Sequence, residues 1–112
     1  MVMVGNRPNG AMHLYLGRGE DSGGGAWSQA TTDLPVGRWV HVEALYEKAA
    51  GRGGRVAVWQ DGAKILDVGG VQTANSADLG WAVTSYGEGI APDPAVVYVD
   101  GAAIATERLG PG

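Results

Sequence analysis

The feature that most constrains the fold of this chain is the alternation of apolar and polar residues between positions 36 and 68. Residues 40, 42, 44 and 46 are Val, Val, Ala and Tyr, and they fall on one face of an extended chain. Trp39, His41 and Glu43 fall on the opposite face. A period of two residues is typical of a β-strand with one buried face. The pattern therefore predicts a strand.

A second strand follows after the glycine- and arginine-rich stretch AAGRGG at residues 49–54. Alternation resumes there, with Val56 and Val58 on one face and Trp59 on the other. Asp61-Gly62 is a strong signal for a two-residue hairpin turn. Residues 64–68 then form a third, short strand, so this part of the chain predicts antiparallel strands joined by tight turns.

The rest of the chain also favours strands over helices. No run of ten or more residues has apolar side chains spaced by three and four, so no long helix is expected. The 20 glycines have no three-residue period and indicate many turns. Seven or eight short strands predict an all-β sandwich or barrel in one domain, residues 1–112. The further predicted strands cover residues 1–4, 11–17, 26–32, 81–86 and 95–108, the last of them broken or bulged at Gly101.

Twelve apolar or aromatic residues on the predicted inner faces form the expected core. They are Leu14, Leu16, Val40, Val42, Tyr46, Val56, Val58, Leu66, Val83, Val97, Val99 and Ile104.

Charge and composition exclude several functions. The formal net charge is −4 and the pI is about 4.9, so no basic surface is available for nucleic acid. The chain has no cysteine, which excludes disulfides and thiolate chemistry. No segment has the length of a membrane span or of a signal-peptide apolar region. We therefore expect no membrane partner, and either a cytoplasmic protein or a processed secreted domain.

Three segments resemble the concanavalin A-like lectin/glucanase superfamily, especially its laminin-G-like and polysaccharide-lyase-like members. Residues 37–43, GRWVHVE, resemble its G-x-W-x-H-V strand. Residues 54–62, GRVAVWQDG, resemble the strand and turn that follow. Residues 95–106, AVVYVDGAAIAT, resemble its closing strand, although Gly101 replaces an acidic residue that is common there.

This resemblance implies an antiparallel β-sandwich of the jelly-roll type. Only the later portion of the usual superfamily domain is matched, so a compact or partial version is expected. The superfamily includes enzymes, lectins and adhesive modules, and its motifs specify the fold better than the activity.

A polar and aromatic surface is the main candidate site. Sugar rings stack their C–H faces on aromatic rings, and their hydroxyl groups need polar neighbours. Further aromatic candidates are Trp81, Tyr86 and Tyr98. The alternatives are a solvated polar face and tryptophans that belong to the core. The predicted ligand-binding residues are Trp39, His41, Glu43, Trp59, His13 and Tyr15.

Catalysis is the competing interpretation of the same residues. His41 would act as a general base oriented by Glu43, and Tyr15 or Tyr98 would act as the acid, as the lyase-like members imply. No complete catalytic signature is present, and we predict neither a metal site nor a cofactor. The leading hypothesis is a non-catalytic module that binds a polysaccharide or oligosaccharide. The alternatives are a polysaccharide lyase or glycoside hydrolase-like enzyme fragment and a structural assembly domain without a ligand.

Assembly is the last expectation. Residues 1–4 form a short apolar strand with no assured partner in their own chain. An open strand edge favours association, and a two-fold axis is the commonest symmetry of soluble oligomers. We therefore predict a homodimer or a higher even oligomer in which residues 1–4 pair with a neighbouring subunit.

Overall fold

The computed structural model describes residues 2–18, 26–74, 82–84 and 96–111. Within these ranges all of the regular elements are β-strands, which confirms the all-β prediction, and no helix of membrane-spanning length is found there. The strands form two three-stranded antiparallel sheets, in the orders β1-β2-β3 and β4-β5-β6. The strands are β1 (Val2–Asn6), β2 (Met12–Arg18), β3 (Ala26–Leu34), β4 (Val42–Glu47), β5 (Gly54–Gln60) and β6 (Ala63–Val71).

The turn between β5 and β6 has the predicted geometry. Gln60 pairs with Ala63, which leaves Asp61 and Gly62 as a two-residue loop. Both loop residues have positive φ angles, 49° and 83°. A type I′ turn requires such angles, and its twist matches that of the flanking strands.

β1 has a partner in its own chain. It pairs with β2 along its whole length, from Val2 opposite Leu16 to Asn6 opposite Met12. The prediction of a homodimer rested on the opposite assumption, that residues 1–4 lack such a partner. That assumption is corrected here, and the oligomeric state stays a prediction.

The core lies between the two sheets. The first sheet contributes Leu14, Leu16 and Ala30, and the second contributes an apolar set from β5 and β6. β3 lies against β6, which brings the sheets face to face in a sandwich-like arrangement. The second set consists of Val56, Val58 and Leu66.

A hydrogen bond also joins the two sheets. The buried Gln60 side chain of β5 donates from Nε2 to the carbonyl oxygen of Asp33 in β3, at 2.9 Å. Because that donor is buried, this partner removes much of the free-energy cost of its desolvation.

One face of β4 lies on the core side of the second sheet, but the first sheet does not cover it. Val42 and Tyr46 lie opposite Gln60 and Val56 in the register, so they point to the same side as the core residues of β5. They are nevertheless 43% and 47% exposed. Their predicted face was correct and their predicted burial was wrong, because the described part of the first sheet covers β5 and β6 only.

The predicted closing strand is not formed. Residues 96–105 have no strand assignment, and Gly101 has a φ of 63°, which interrupts an extended chain. Four predicted core residues are exposed, because in this part of the chain no described sheet lies over them. They are Val83, Val97, Val99 and Ile104.

The predicted strand at 81–86 is described only at residues 82–84, which are not in a strand. Trp81 and Tyr86 lie outside the described residues.

Candidate functional site

The predicted site residues are divided between two surfaces. His13 and Tyr15 lie on β2 and point away from the core, because Leu14 and Leu16 between and beside them point into it. Glu43 and Trp59 lie on the second sheet, and the core side of that sheet carries other residues. The sandwich therefore has one candidate surface on the outer face of each sheet, and the six residues do not form a single site.

The outer face of the first sheet contains an open cleft of about 360 Å³. That volume is within the usual range for small-molecule sites. The cleft joins an aromatic ring, an imidazole and two carboxamides. Its lining residues are Gly5, Asn6, His13, Tyr15 and Gln29.

His13 lines the cleft but is itself buried. The residue is only 6% exposed, and Nε2 is hydrogen-bonded to Oε1 of Gln29 on the neighbouring strand. Nδ1 is buried and has no hydrogen-bond partner among the described residues. Since the carboxamide oxygen accepts, Nε2 carries the proton in this arrangement. His13 therefore holds Gln29 in place, and the amide group of Gln29 is left with donors for another partner.

Glycine at position 5 makes room for the ring of Tyr15. A Cβ atom on Gly5 would lie 2.8 Å from Cε1 of Tyr15, which is too close for any real side chain. The tyrosine ring therefore covers bare backbone of the neighbouring strand, an arrangement that also stabilises glycine at a sheet edge. The His13 ring lies beside it, with the ring centroids 5.8 Å apart. The wall of the cleft is thus fixed by backbone contact and by ring packing.

A bulge in β3 sets the position of Gln29. His13 pairs with Asp33 and Tyr15 with Gln29, so β3 has two extra residues between these pairs. The Arg7 guanidinium occupies the irregular stretch. It donates to the carbonyl oxygens of Ala30 and Thr32 and to the Asp33 carboxylate, the last at 2.8 Å. Arg7 thereby satisfies carbonyl groups that the bulge releases from the ladder.

On the second sheet, Glu43 and Trp59 are direct neighbours across β4 and β5. The segment at residues 108–111 lies over both of them. The Cζ atom of Arg108 is 4.3 Å from the centroid of the Trp59 ring, and its Nη2 and Nε donate to Glu43 Oε2 at 2.5 and 3.2 Å. The backbone N–H of Gly110 donates to the other carboxylate oxygen at 2.8 Å. The part of the predicted sugar-binding surface that Glu43 and Trp59 form is thus occupied by Arg108.

These contacts also change the acidity of Glu43. The hydrogen bond from Arg108, followed by that from the Gly110 backbone, lowers the pKa of this carboxyl group below its ordinary value of 4.5. The side chain is 12% exposed. Donors that bind the charged form favour it over the neutral acid.

His41 and Trp39 belong to the connection that leads into β4. The Asp61 carboxylate accepts from the His41 backbone N–H at 3.0 Å and from Arg38 Nη2 at 2.9 Å, and the first of these is the larger cause of its lowered pKa. These two hydrogen bonds therefore link the connection before β4 to the β5–β6 turn, which contains Asp61. The His41 Nδ1 atom is buried without a partner among the described residues, and Trp39 is exposed.

The described residues include no cluster of three or more histidines or carboxylates that could hold a metal ion. Comparison with known proteins finds no matching family model, no matching curated protein and no matching solved structure. The geometry of the two surfaces is therefore the basis for any functional conclusion.

Three important residues were not selected from the sequence. Gln29 lies in an irregular strand, and no periodic pattern distinguishes it. Asn6 belongs to the turn sequence GNRPNG, which indicates only a reversal of the chain. Arg108 is 65 positions from Glu43, and an isolated arginine gives no signal of the carboxylate that it will meet.

Proposed function

We propose that this protein is a non-catalytic carbohydrate-binding module and that its sugar site is the cleft on the first sheet. The observation that supports this most is the composition of the cleft, in which the Tyr15 ring stands beside the carboxamides of Asn6 and Gln29. An aromatic ring provides a face for sugar C–H groups, and carboxamides both donate to and accept from hydroxyl groups. None of the described residues that line the cleft carries a carboxylate, an ammonium or a guanidinium group, which favours a neutral saccharide.

The environment of the two ring nitrogens of His13 favours binding over catalysis. A general base must reach the proton that it removes, within about 3 Å. His13 Nε2 is held by Gln29 and Nδ1 is buried. The predicted base, His41, lies before β4 in the second sheet, whereas Tyr15, one of the two predicted acids, lies on β2 in the first. A jelly-roll relationship to the concanavalin A-like superfamily is part of the same proposal, because that superfamily includes lectins.

A glycan array with purified protein tests this proposal. We expect Tyr15→Ala to weaken binding to any retained glycan by roughly tenfold or more, which corresponds to about 1.4 kcal/mol. Gln29→Ala should also weaken it, since its amide donors would be lost. The matched control is Tyr98→Ala, which removes an exposed tyrosine outside the cleft. Equal binding by Tyr15→Ala and wild type would contradict the proposal.

A lyase assay addresses the enzymatic alternative. Wild-type protein is incubated with uronate-containing polysaccharides, and the ultraviolet absorbance of an unsaturated product is followed. We expect no increase above the buffer control. A steady increase that Tyr15→Ala abolishes would show that the cleft is an active site.

A further inference from the structure

The contact between Arg108 and the second sheet has the features of a recognition site. Glu43 presents both carboxylate oxygens, one to the guanidinium and one to a backbone N–H two residues further on. Trp59 presents the face of its ring to the same guanidinium. A carboxylate beside an aromatic face suits the planar, delocalised guanidinium better than an ammonium group.

Arg108 and the residues that follow it are preceded in the chain by an exposed stretch. Residues 96–109 are all exposed and have no strand assignment. Among the hydrogen bonds and ion pairs of the described residues, those that join this part of the chain to the sheet begin at Arg108. They continue at Gly110, and the Cγ atom of Pro111 would lie 3.3 Å from a Cβ atom on Gly62. The segment therefore contacts the sheet like a short bound peptide on a tether.

We propose that Glu43 and Trp59 form a binding site for an arginine-bearing extended peptide, which residues 108–111 occupy in competition with an external ligand. The ligand must supply a guanidinium and, two residues later, a backbone N–H. Such a site admits a partner only when the resident segment is displaced. The peptide site lies on the second sheet, whereas the proposed sugar cleft lies on the first. The peptide site therefore does not depend on the proposal of sugar binding.

A full-length Arg108→Ala variant vacates the site and allows a direct test. The ligand is the peptide ATERLGP, which copies residues 105–111, with its ends acetylated and amidated. Its glutamate and arginine cancel, so general attraction to an acidic protein is small. Binding is measured by isothermal titration calorimetry up to millimolar peptide, together with the NMR shift of the Trp59 indole N–H.

We expect Arg108→Ala to bind this peptide with a perturbed Trp59 indole signal. Wild-type protein should bind it about tenfold or more weakly, because a tethered segment competes at a high effective concentration. The matched control is Arg52→Ala, which removes an exposed arginine that has no ion pair among the described residues and should behave as wild type. Adding Glu43→Gln to Arg108→Ala should abolish binding. A peptide with lysine in place of the arginine should bind about tenfold or more weakly than the parent.

Arg108→Lys is a second test, for the case in which Arg108→Ala does not fold. It keeps the positive charge at Glu43 but loses the planar fork, and it should bind the arginine peptide more tightly than wild type does. Several results would overturn the proposal. They are a folded Arg108→Ala or Arg108→Lys protein that binds no peptide at millimolar concentration, equal binding of the lysine and arginine peptides, and binding of a neutral oligosaccharide in place of the peptide.

Discussion

Gly54 stands where the backbone of one strand meets the end of the next. A Cβ atom built there would lie 2.5 Å from the carbonyl oxygen of Val71 and would also collide with the side chain of Thr73. Thr73 cannot give way freely, since its hydroxyl donates to the Glu47 carbonyl at 2.6 Å and accepts from the Ala49 N–H at 2.8 Å. The position therefore has no space for even a methyl group.

We predict that Gly54→Ala lowers the free energy of unfolding by about 1–3 kcal/mol, because a backbone atom must move to relieve the overlap. Gly69→Ala is the matched control. Gly69 also lies in a strand, but no atom of the described residues would lie within 4 Å of a Cβ atom at this position. Urea unfolding followed by circular dichroism gives both values. A Gly54→Ala protein as stable as Gly69→Ala would show that the β6 end adjusts without cost.

At the scale of the elements, β4 and β5 show how one face of a sheet can be buried on one strand and open on the next. Val58 has no exposed surface, whereas Val42, on the same face, is 43% exposed. Removing methyl groups costs free energy in proportion to the apolar surface that was buried and to the cavity left behind. The two valines are therefore a natural pair for testing where the core ends.

Val58→Ala should destabilise the fold by about 1–3 kcal/mol and Val42→Ala by less than about 1 kcal/mol. Thermal unfolding at equal protein concentration measures the difference. If the two substitutions cost the same, a further layer must cover β4 in solution, and the core would extend across the whole second sheet.

For the molecule as a whole, three carboxylates link stability to pH. The pKa values of Glu43, Asp61 and Asp67 are all lowered in the fold from ordinary values of 4.5, 3.8 and 3.8. For Asp67 the causes are hydrogen bonds from Arg55, at 2.7 Å, and from Lys64, at 2.6 Å. At low pH the unfolded chain therefore binds protons that the folded chain does not bind.

From this linkage we predict that stability is fully present above about pH 5 and falls as the pH decreases through 4.5 and below. Guanidinium-chloride unfolding midpoints at pH 7 and pH 3.5 test this prediction. Asp67→Asn should show a smaller decrease between the two pH values than wild type, since one of the three groups no longer titrates. A midpoint that rises on acidification would contradict the linkage.

The sequence by itself determined the six strands of the two sheets, the antiparallel pairing around Asp61-Gly62 and the faces of β2, β4 and β5. These properties depend on local periodicity and on turn geometry, which neighbouring residues encode directly. His13 and Tyr15 were selected on the same basis, and they meet because they stand two apart on one strand. The sequence also predicted strands at residues 81–86 and 95–108, which the described residues there do not form.

Only the tertiary structure decided which faces are covered and which distant residues meet. Val42 and Val58 have the same pattern in the sequence, and the extent of the opposite sheet makes one exposed and the other buried. Glu43 and Trp59 were predicted to bind a ligand, and Arg108, which is 65 positions from Glu43 in the chain, lies on both of them. Burial and long-range ion pairs depend on how the layers are stacked, and no local spacing of residues encodes that arrangement.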